Sequence, residues 1–195
     1  MRRAAVPRKP RIVHTGGIYH VVNRGNDKRV IYPQADEYEH FLALLQEGRS
    51  HAPVSIVAYC LMPTHFHLVL IPLADGALST YMHRVTGSYA SGLRQRTRTR
   101  GFGHVFQRRF WAAPVSDHEA FVCVLRYVEG NARRAGLVAR AQEWRWTSLT
   151  DRMQESPQII NVCPLALPGP WPEWVNLGQD ESVLTAIRRA LRRMK

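Results

Sequence analysis

Two histidines separated by one residue are the first candidates for chemistry in this chain. His65 and His67 lie within residues 62–71, an apolar stretch with Pro63 near its start. Because side chains alternate between the two faces of a β-strand, both imidazoles would project from one face, within reach of a single metal ion. The opposite face would carry Phe66, Leu68 and Leu70. The pattern predicts a strand with half of a metal site on one face; the alternative is two polar residues on a half-exposed strand.

A tyrosine and an asparagine form the second candidate pair. They belong to a predicted helix after Asp117, a residue type that caps helix N-termini. The buried side of this helix is an apolar stripe of Phe121, Val124, Leu125 and Val128. At about 100° per residue, Tyr127 and Asn131 lie roughly 40° apart on one flank of the stripe, where the histidine face could meet a phenol and a carboxamide. In the alternative, Tyr127 is a boundary residue and Asn131 belongs to the helix terminus.

The elements that must position these residues alternate between strands and helices. Strand patterns cover residues 17–24, 55–61, 65–71 and 112–115, and helix patterns cover residues 36–49, 79–96 and the segment after residue 117. Asp36 and Ser79 are the expected N-caps of the first two helices. The first six elements predict an α+β, ferredoxin-like split βαβ sandwich, a four-stranded antiparallel sheet with helices on one side. The helix that carries Tyr127 is an addition to that sandwich.

Composition places the chain among basic globular proteins. A length of 195 residues and a hydrophobic content of 45% suffice for one domain with a sizeable core. The formal net charge of +12 comes from 27 Lys and Arg against 15 Asp and Glu, which favours a polyanionic partner such as nucleic acid. We divide the chain into a basic arm at residues 1–14, a main domain at residues 15–150 and an extension at residues 151–195 that ends in a basic amphipathic helix.

Cysteine usage and hydropathy indicate the compartment. The three cysteines, Cys60, Cys123 and Cys163, are far apart and form no C-x-x-C pair, which argues against a disulfide framework and a structural zinc site. No apolar segment is long enough to cross a bilayer, and no apolar region follows the arginines near the N-terminus as a signal peptide would require. We therefore expect a soluble, cytoplasmic protein, associated with the nucleoid through nucleic acid.

Three basic segments are candidates for contact with nucleic acid. The arm contributes Arg2, Arg3, Arg8, Lys9 and Arg11, and a second run contributes Arg94, Arg96, Arg98 and Arg100. In the third segment, residues 105–111, arginines alternate with aromatic residues and contribute Arg108, Arg109 and Trp111. Single-stranded nucleic acid needs stacking surfaces for its bases and cations for its phosphates, so this combination favours a single strand. The alternative for each run is a solvated, charged surface.

Five short motifs, in order, carry a family resemblance. They are residues 19–25 (YHVVNRG), 62–68 (MPTHFHL), 107–111 (QRRFW), 127–138 (YVEGNARRAGLV) and 144–148 (WRWTS). The set resembles the REP-associated tyrosine transposases, which are IS200-like members of the single-tyrosine HUH transposase superfamily. The chain departs from the family pattern at Ala132 and Arg133, which replace the usual Pro-Val.

The resemblance implies metal-dependent cleavage and rejoining of single-stranded DNA at palindromic hairpins, through a covalent 5′-phosphotyrosine. It implies that Tyr127 is the nucleophile and that His65, His67 and Asn131 bind Mg²⁺ or Mn²⁺. The DNA contacts would come from the basic segments named above together with Arg24. The protein would act as a monomer or a homodimer.

Two other classes of function fit the same residues. A non-catalytic hairpin-binding protein on this fold would use the charge and keep the histidines for structure. A metal-dependent phosphodiesterase would use water as its nucleophile and would form no covalent adduct. Neither requires Tyr127 and Asn131 to lie close together.

Overall fold

A four-stranded antiparallel sheet forms the centre of the protein, in a computed structural model that describes residues 13–99 and 103–192. The strands are β1 (Tyr19–Arg24), β2 (Val54–Met62), β3 (His65–Pro72) and β4 (Trp111–Pro114), in the spatial order β2-β3-β1-β4. Helices α1 (Ala35–Gly48) and α2 (Ala77–Arg96) connect β1 to β2 and β3 to β4. This is the predicted α+β, ferredoxin-like arrangement.

The sheet separates two apolar cores, and β3 contributes to both. Phe66, Leu68 and Leu70 are fully buried in the core that α1 and α2 cover. Val69 is buried in the second core, under the helix α3 (His118–Glu129). The alternation predicted for β3 is therefore confirmed, and the histidine face of the strand is the one that α3 covers.

Several element boundaries differ from the predicted ones. Helix α1 begins at Ala35 after Gln34, with no side-chain cap, so Asp36 lies in its first turn. Helix α2 begins at Ala77, two residues before Ser79, because Gly76 adopts a left-handed conformation with φ of 72°, which glycine tolerates and which ends the preceding turn. In α3 the predicted cap is confirmed, since the Asp117 carboxylate accepts a hydrogen bond of 2.8 Å from the backbone N–H of Ala120.

The C-terminal third of the chain packs onto α3 through short helices. These are α4 (Asn131–Arg134), α5 (Ser148–Arg152), α6 (Trp171–Asn176) and α7 (Glu181–Arg192). Buried Glu129, at the end of α3, accepts hydrogen bonds from the Ser148 hydroxyl at 2.6 Å and the Trp171 indole at 2.5 Å, and pairs with Arg152 at 3.0 Å. The predicted extension is thus fastened to the helix that carries Tyr127. Within the described residues, no helix is long and apolar enough to span a membrane.

Candidate active site

The structure brings Tyr127 against the histidine face of β3. The ring centre of Tyr127 lies 5.5 Å from that of His67, and His65 lies 5.1 Å from His67 on the same strand. A third histidine joins them: His20 of β1 is 5.8 Å from the Tyr127 ring. All three histidines and the phenol therefore surround one small volume between the sheet and α3.

Hydrogen bonds orient both imidazoles of the pair. The Nδ1 atom of His65 is 3.1 Å from the Thr64 hydroxyl, and the Nδ1 atom of His67 is 2.9 Å from Nε2 of His20. In each ring these bonds engage Nδ1 and leave Nε2 for a metal. Metal-binding histidines are commonly held in this way, by a partner on the nitrogen that does not bind the metal.

The sequence motifs contained His20, but its role was not predicted. One signal was available, because Tyr19 and Val21 belong to the α1–α2 core and His20 must then face the other side of β1. Its position beside His67 depends on the register between β1 and β3, in which Val22 pairs with His67 and His20 with Val69. Because this register joins residues that are far apart in the sequence, local patterns could not predict the contact between His20 and His67.

Burial keeps the three imidazoles in their neutral form. Desolvation lowers the pKa of His65 to about 4 and that of His20 to about 3. The pKa of His67 lies well below its usual range, first because of burial and then because His20 and His65 are close. His67 is only 4% exposed, whereas His65 is of intermediate exposure, so the strand is not half-exposed at His67. Neutral imidazole is the form that binds metal ions.

A cleft of about 360 Å³ opens onto this site. Its walls are formed by Val22, Arg24, His65, His67, Gln107, Trp111, Tyr127, Arg188 and Leu191. Arg24 and Trp111, both predicted to contact DNA, thus lie beside the histidines. Arg188 and Leu191 come from α7, so the C-terminal extension forms one wall of the cleft. Gln107, Arg188 and Leu191 are site residues that the motifs alone did not single out.

The backbone between Tyr127 and Asn131 differs from the continuous helix that was predicted. Helix α3 ends at Glu129, and Gly130 separates it from α4, so the uninterrupted turn from Tyr127 to Asn131 does not form. The Asn131 carboxamide oxygen accepts a hydrogen bond of 3.0 Å from Arg134, and its Nδ2 atom is buried without a hydrogen-bond partner. In this conformation the oxygen that would bind a metal is engaged by a guanidinium.

Arg134 holds the nucleophile candidate in place. Its guanidinium carbon lies 4.1 Å from the centre of the Tyr127 ring, and it donates a hydrogen bond of 2.8 Å to the Tyr127 carbonyl oxygen. Burial lowers the pKa of Arg134, although arginine remains charged in proteins. One cation therefore fixes the ring, the backbone and the Asn131 side chain together.

The imidazole donors at this site are of a type that suits a divalent metal ion. Two neutral imidazoles are suitable ligands, and the Gln107 carboxamide belongs to the same cleft. Within residues 13–99 and 103–192, no group of three or more His, Cys, Asp or Glu side chains is arranged so that it could hold a metal ion. A metal ion bound by His65 and His67 would therefore need further ligands of another kind.

The predicted DNA-contacting residues are distributed over several places. Arg94, Arg108 and Arg109 meet in a groove of about 870 Å³ between α2 and residues 104–110. Arg96 is bound by the Glu37 carboxylate at 2.7 Å, and Arg98 is exposed just after α2. The remaining candidates, Arg2, Arg3, Arg8, Lys9, Arg11 and Arg100, lie outside the described residues.

The site thus consists of paired histidines on a central strand of a ferredoxin-like sheet, covered by a helix that carries a tyrosine. Residues 14–131 match the family model described as Transposase IS200 like. The chain therefore belongs to the IS200-like transposase family, and the resemblance drawn from the motifs is confirmed.

Individual relatives agree with this assignment. A protein named as a REP-associated tyrosine transposase of Haemophilus influenzae is 25% identical over 144 residues, which cover 68% of this chain and 80% of the relative. A solved structure of a REP-associated tyrosine transposase bound to a REP hairpin superposes with a TM-score of 0.62 at 17% identity, covering 80% of this chain and 92% of the other. At that identity the structural match concerns the fold.

Proposed function

We propose that this chain is a metal-dependent endonuclease and strand transferase for single-stranded hairpin DNA, with Tyr127 as the nucleophile. The observation that carries the proposal is the contact between the Tyr127 and His67 rings, 5.5 Å apart and within one cleft. A water-dependent phosphodiesterase or a binding protein has no use for a phenol at that position.

The reaction is a phosphoryl transfer to the phenol oxygen. Tyr127 Oη attacks the phosphorus, the bond from phosphorus to the 3′ oxygen breaks, and the departing 3′ oxygen gains a proton while the phenol loses one. The products are a 5′-phosphotyrosine and a free 3′-hydroxyl. Because the tyrosine phenolate is a good leaving group, a 3′-hydroxyl can attack the phosphotyrosine, release the phenol and join strands without ATP. Arg134 fixes the direction from which the phenol approaches.

The metal site in this proposal is built on His65 and His67. When bound, Mg²⁺ or Mn²⁺ supplies Lewis-acid polarisation of a non-bridging phosphate oxygen. His20 and Thr64 orient the two imidazoles for that role. Asn131 remains our candidate third ligand, and its oxygen would first have to leave Arg134.

Recognition of the DNA would combine phosphate contacts with hairpin shape. One related structure is described as bound to a REP hairpin, which supports a palindromic hairpin as the substrate of this chain. Arg24 and Trp111 lie in the cleft, whereas Arg94, Arg108 and Arg109 lie in the neighbouring groove. Arginines at these places would pair with phosphates and position the strand, because phosphate contacts set the register of a nucleic acid.

A covalent-adduct assay tests the proposal. Hairpins with single-stranded flanks are end-labelled, incubated with Mn²⁺ or Mg²⁺, and resolved on a denaturing protein gel. We expect a labelled DNA–protein band that requires metal and disappears in Tyr127→Phe, while hairpin binding is retained. Cleavage without a band would indicate the water-dependent phosphodiesterase, and binding that needs neither metal nor Tyr127 would indicate the non-catalytic protein.

A further inference from the structure

Helix α7 places an arginine in the wall of the cleft. Ile187 is buried in the second apolar core, which also contains Tyr127. Arg188 follows Ile187, and Leu191 lies one turn further along the same side of the helix; both line the cleft together with Tyr127. Arg189, the next residue, is exposed and lies outside the cleft lining. The docking of α7 thus brings one arginine to the nucleophile candidate and leaves its neighbour in solvent.

A carboxylate two turns away holds the Arg188 side chain. Nη1 of Arg188 donates a hydrogen bond of 2.6 Å to Oε1 of Glu181. Because a guanidinium carries five N–H donors in a planar fork, this bond leaves Nε and Nη2 for other acceptors. The pKa of Arg188 is raised, first by its bond to Glu181 and to a smaller degree by the phenol of Tyr127. The guanidinium is therefore close enough to the phenol to interact with it.

Positive charge converges on the phenol and the cleft. Arg24 lines the cleft with Arg188, and none of the described residues in this lining is acidic. Arg134 lies over the Tyr127 ring, and its pKa is lowered first by burial and then by the charge of Arg188. Like charges repel each other, so an anion placed between these guanidinium groups would stabilise the arrangement. A phosphodiester at Tyr127 is such an anion.

We propose that Arg188 is a catalytic residue of strand cleavage, which donates hydrogen bonds to the Tyr127 phenol oxygen and to a non-bridging oxygen of the scissile phosphate. The inference rests on the proposed function and adds a residue of the C-terminal extension to its chemistry. Arg188 lies beyond residues 14–131, the part of the chain that matches the family model, so the family assignment gives it no role.

The contribution of Arg188 to the reaction is electrostatic. As Tyr127 Oη attacks the phosphorus, the bond from phosphorus to the 3′ oxygen breaks, the phenol gives up its proton and the 3′ oxygen gains one. Negative charge on the phenol and phosphate oxygens is stabilised by the N–H groups of the guanidinium. Arg188 keeps all of its protons, because arginine is not deprotonated in proteins. In the reverse reaction the same hydrogen bonds stabilise the departing phenolate.

A catalytic role and a role in DNA binding predict different kinetics. A residue that only holds DNA stabilises the bound substrate and the transition state equally, so its loss weakens binding and leaves the rate at saturating DNA unchanged. A residue that stabilises charge in the transition state changes the rate at saturating DNA. The rate of the covalent step is therefore the quantity to measure.

The experiment compares Arg188→Ala with Arg189→Ala, which removes the same charge from the next position of α7. The ligand is a hairpin with single-stranded flanks that the wild-type chain selects from a randomised pool. Affinity is measured by fluorescence anisotropy in EDTA, and adduct formation is measured with Mn²⁺ in single turnovers at saturating DNA. We expect Arg188→Ala to form the adduct about 100-fold more slowly or worse, the loss typical of one donor to a developing anion. Its affinity should be similar to that of Arg189→Ala.

Two further measurements separate catalysis from an effect on the docking of α7. Arg188→Lys keeps the charge but lacks the planar fork, so its rate should lie between those of Arg188→Ala and the wild type. Free guanidinium at millimolar concentration should restore part of the rate of Arg188→Ala, because it can enter the space that the side chain leaves. It should not accelerate the wild type or Arg189→Ala. Far-UV circular dichroism checks that each variant is folded.

Three outcomes would overturn the proposal and leave the proposed function intact, provided that the wild type forms an adduct at Tyr127. The first is an equal rate of adduct formation in Arg188→Ala and Arg189→Ala. The second is a faster rate in Arg188→Ala than in the wild type, which would show that Arg188 restrains the phenol. The third is a slow Arg188→Ala that guanidinium does not accelerate. Absence of any adduct in the wild type would overturn the proposed function as well.

Discussion

Replacing His20 tests whether His67, the second histidine of the proposed metal-binding pair, depends on a partner from another strand. If Nε2 of His67 binds the metal, its Nδ1 carries the proton and donates to Nε2 of His20, 2.9 Å away. His20→Leu then removes the acceptor and leaves the Nδ1–H group buried, because His67 is only 4% exposed. A buried donor without a partner costs about 1–3 kcal/mol, so the ring is expected to turn or change tautomer. Loss of such a partner commonly lowers metal affinity by about 10–100-fold.

The assay measures Mn²⁺ binding directly, by the loss of the free-ion signal in electron paramagnetic resonance. We expect His20→Leu to bind Mn²⁺ about 10–100-fold more weakly than the wild type. His20→Gln should recover much of the affinity, because a glutamine carboxamide oxygen can occupy the place of Nε2 and accept the same bond. His118→Leu is the matched control, since His118 is exposed and bonds to the Ala166 carbonyl.

The result that would refute this reasoning is wild-type Mn²⁺ affinity in a folded His20→Leu protein. Folding is checked by far-UV circular dichroism and by thermal melting. If Leu and Gln at position 20 weaken binding equally while both proteins are folded, the hydrogen bond is not the cause and the ring contact with Tyr127, at 5.8 Å, becomes the explanation.

Three further changes test other parts of the site. His65→Ala should abolish adduct formation, while its affinity for the hairpin should stay within several-fold of the wild-type value, since phosphate contacts elsewhere carry most of the binding. A large loss of affinity, measured by fluorescence anisotropy, would indicate that His65 has a structural role. Arg134→Lys should slow single-turnover cleavage by about 100-fold, because lysine lacks the planar guanidinium that contacts the Tyr127 ring, the Tyr127 carbonyl and Asn131. An unchanged cleavage rate would show that Arg134 does not position the phenol. Glu129→Leu should lower the free energy of unfolding, measured in urea, by about 3 kcal/mol, because it leaves the Arg152 charge and the Trp171 N–H without their buried partner. A decrease below about 1 kcal/mol would contradict this role of Glu129.

Local patterns were sufficient for the order of the elements and for the face on which the histidine pair lies. Alternation along a strand is a property of neighbouring residues. It therefore predicts that His67 and Phe66 lie on opposite faces of the sheet, without any knowledge of which strands are paired. The Asp117 cap was equally local, because the side chain bonds within its own turn. Boundaries were less accurate where a backbone conformation decided them, as at Gly76.

The sequence by itself determined the two pairs of candidate site residues, the basic charge and the kind of fold. Only the tertiary structure decided which partners complete the site: His20 comes from a strand 47 residues before His67, Arg188 reaches the cleft through the docking of α7, and Asn131 is turned toward Arg134 after a break at Gly130. The physical reason is that the periodicity of apolar residues along the sequence shows only which face of a single helix or strand is buried. Strand register and helix docking depend on how all the apolar faces pack together, and that packing selects which distant side chains meet.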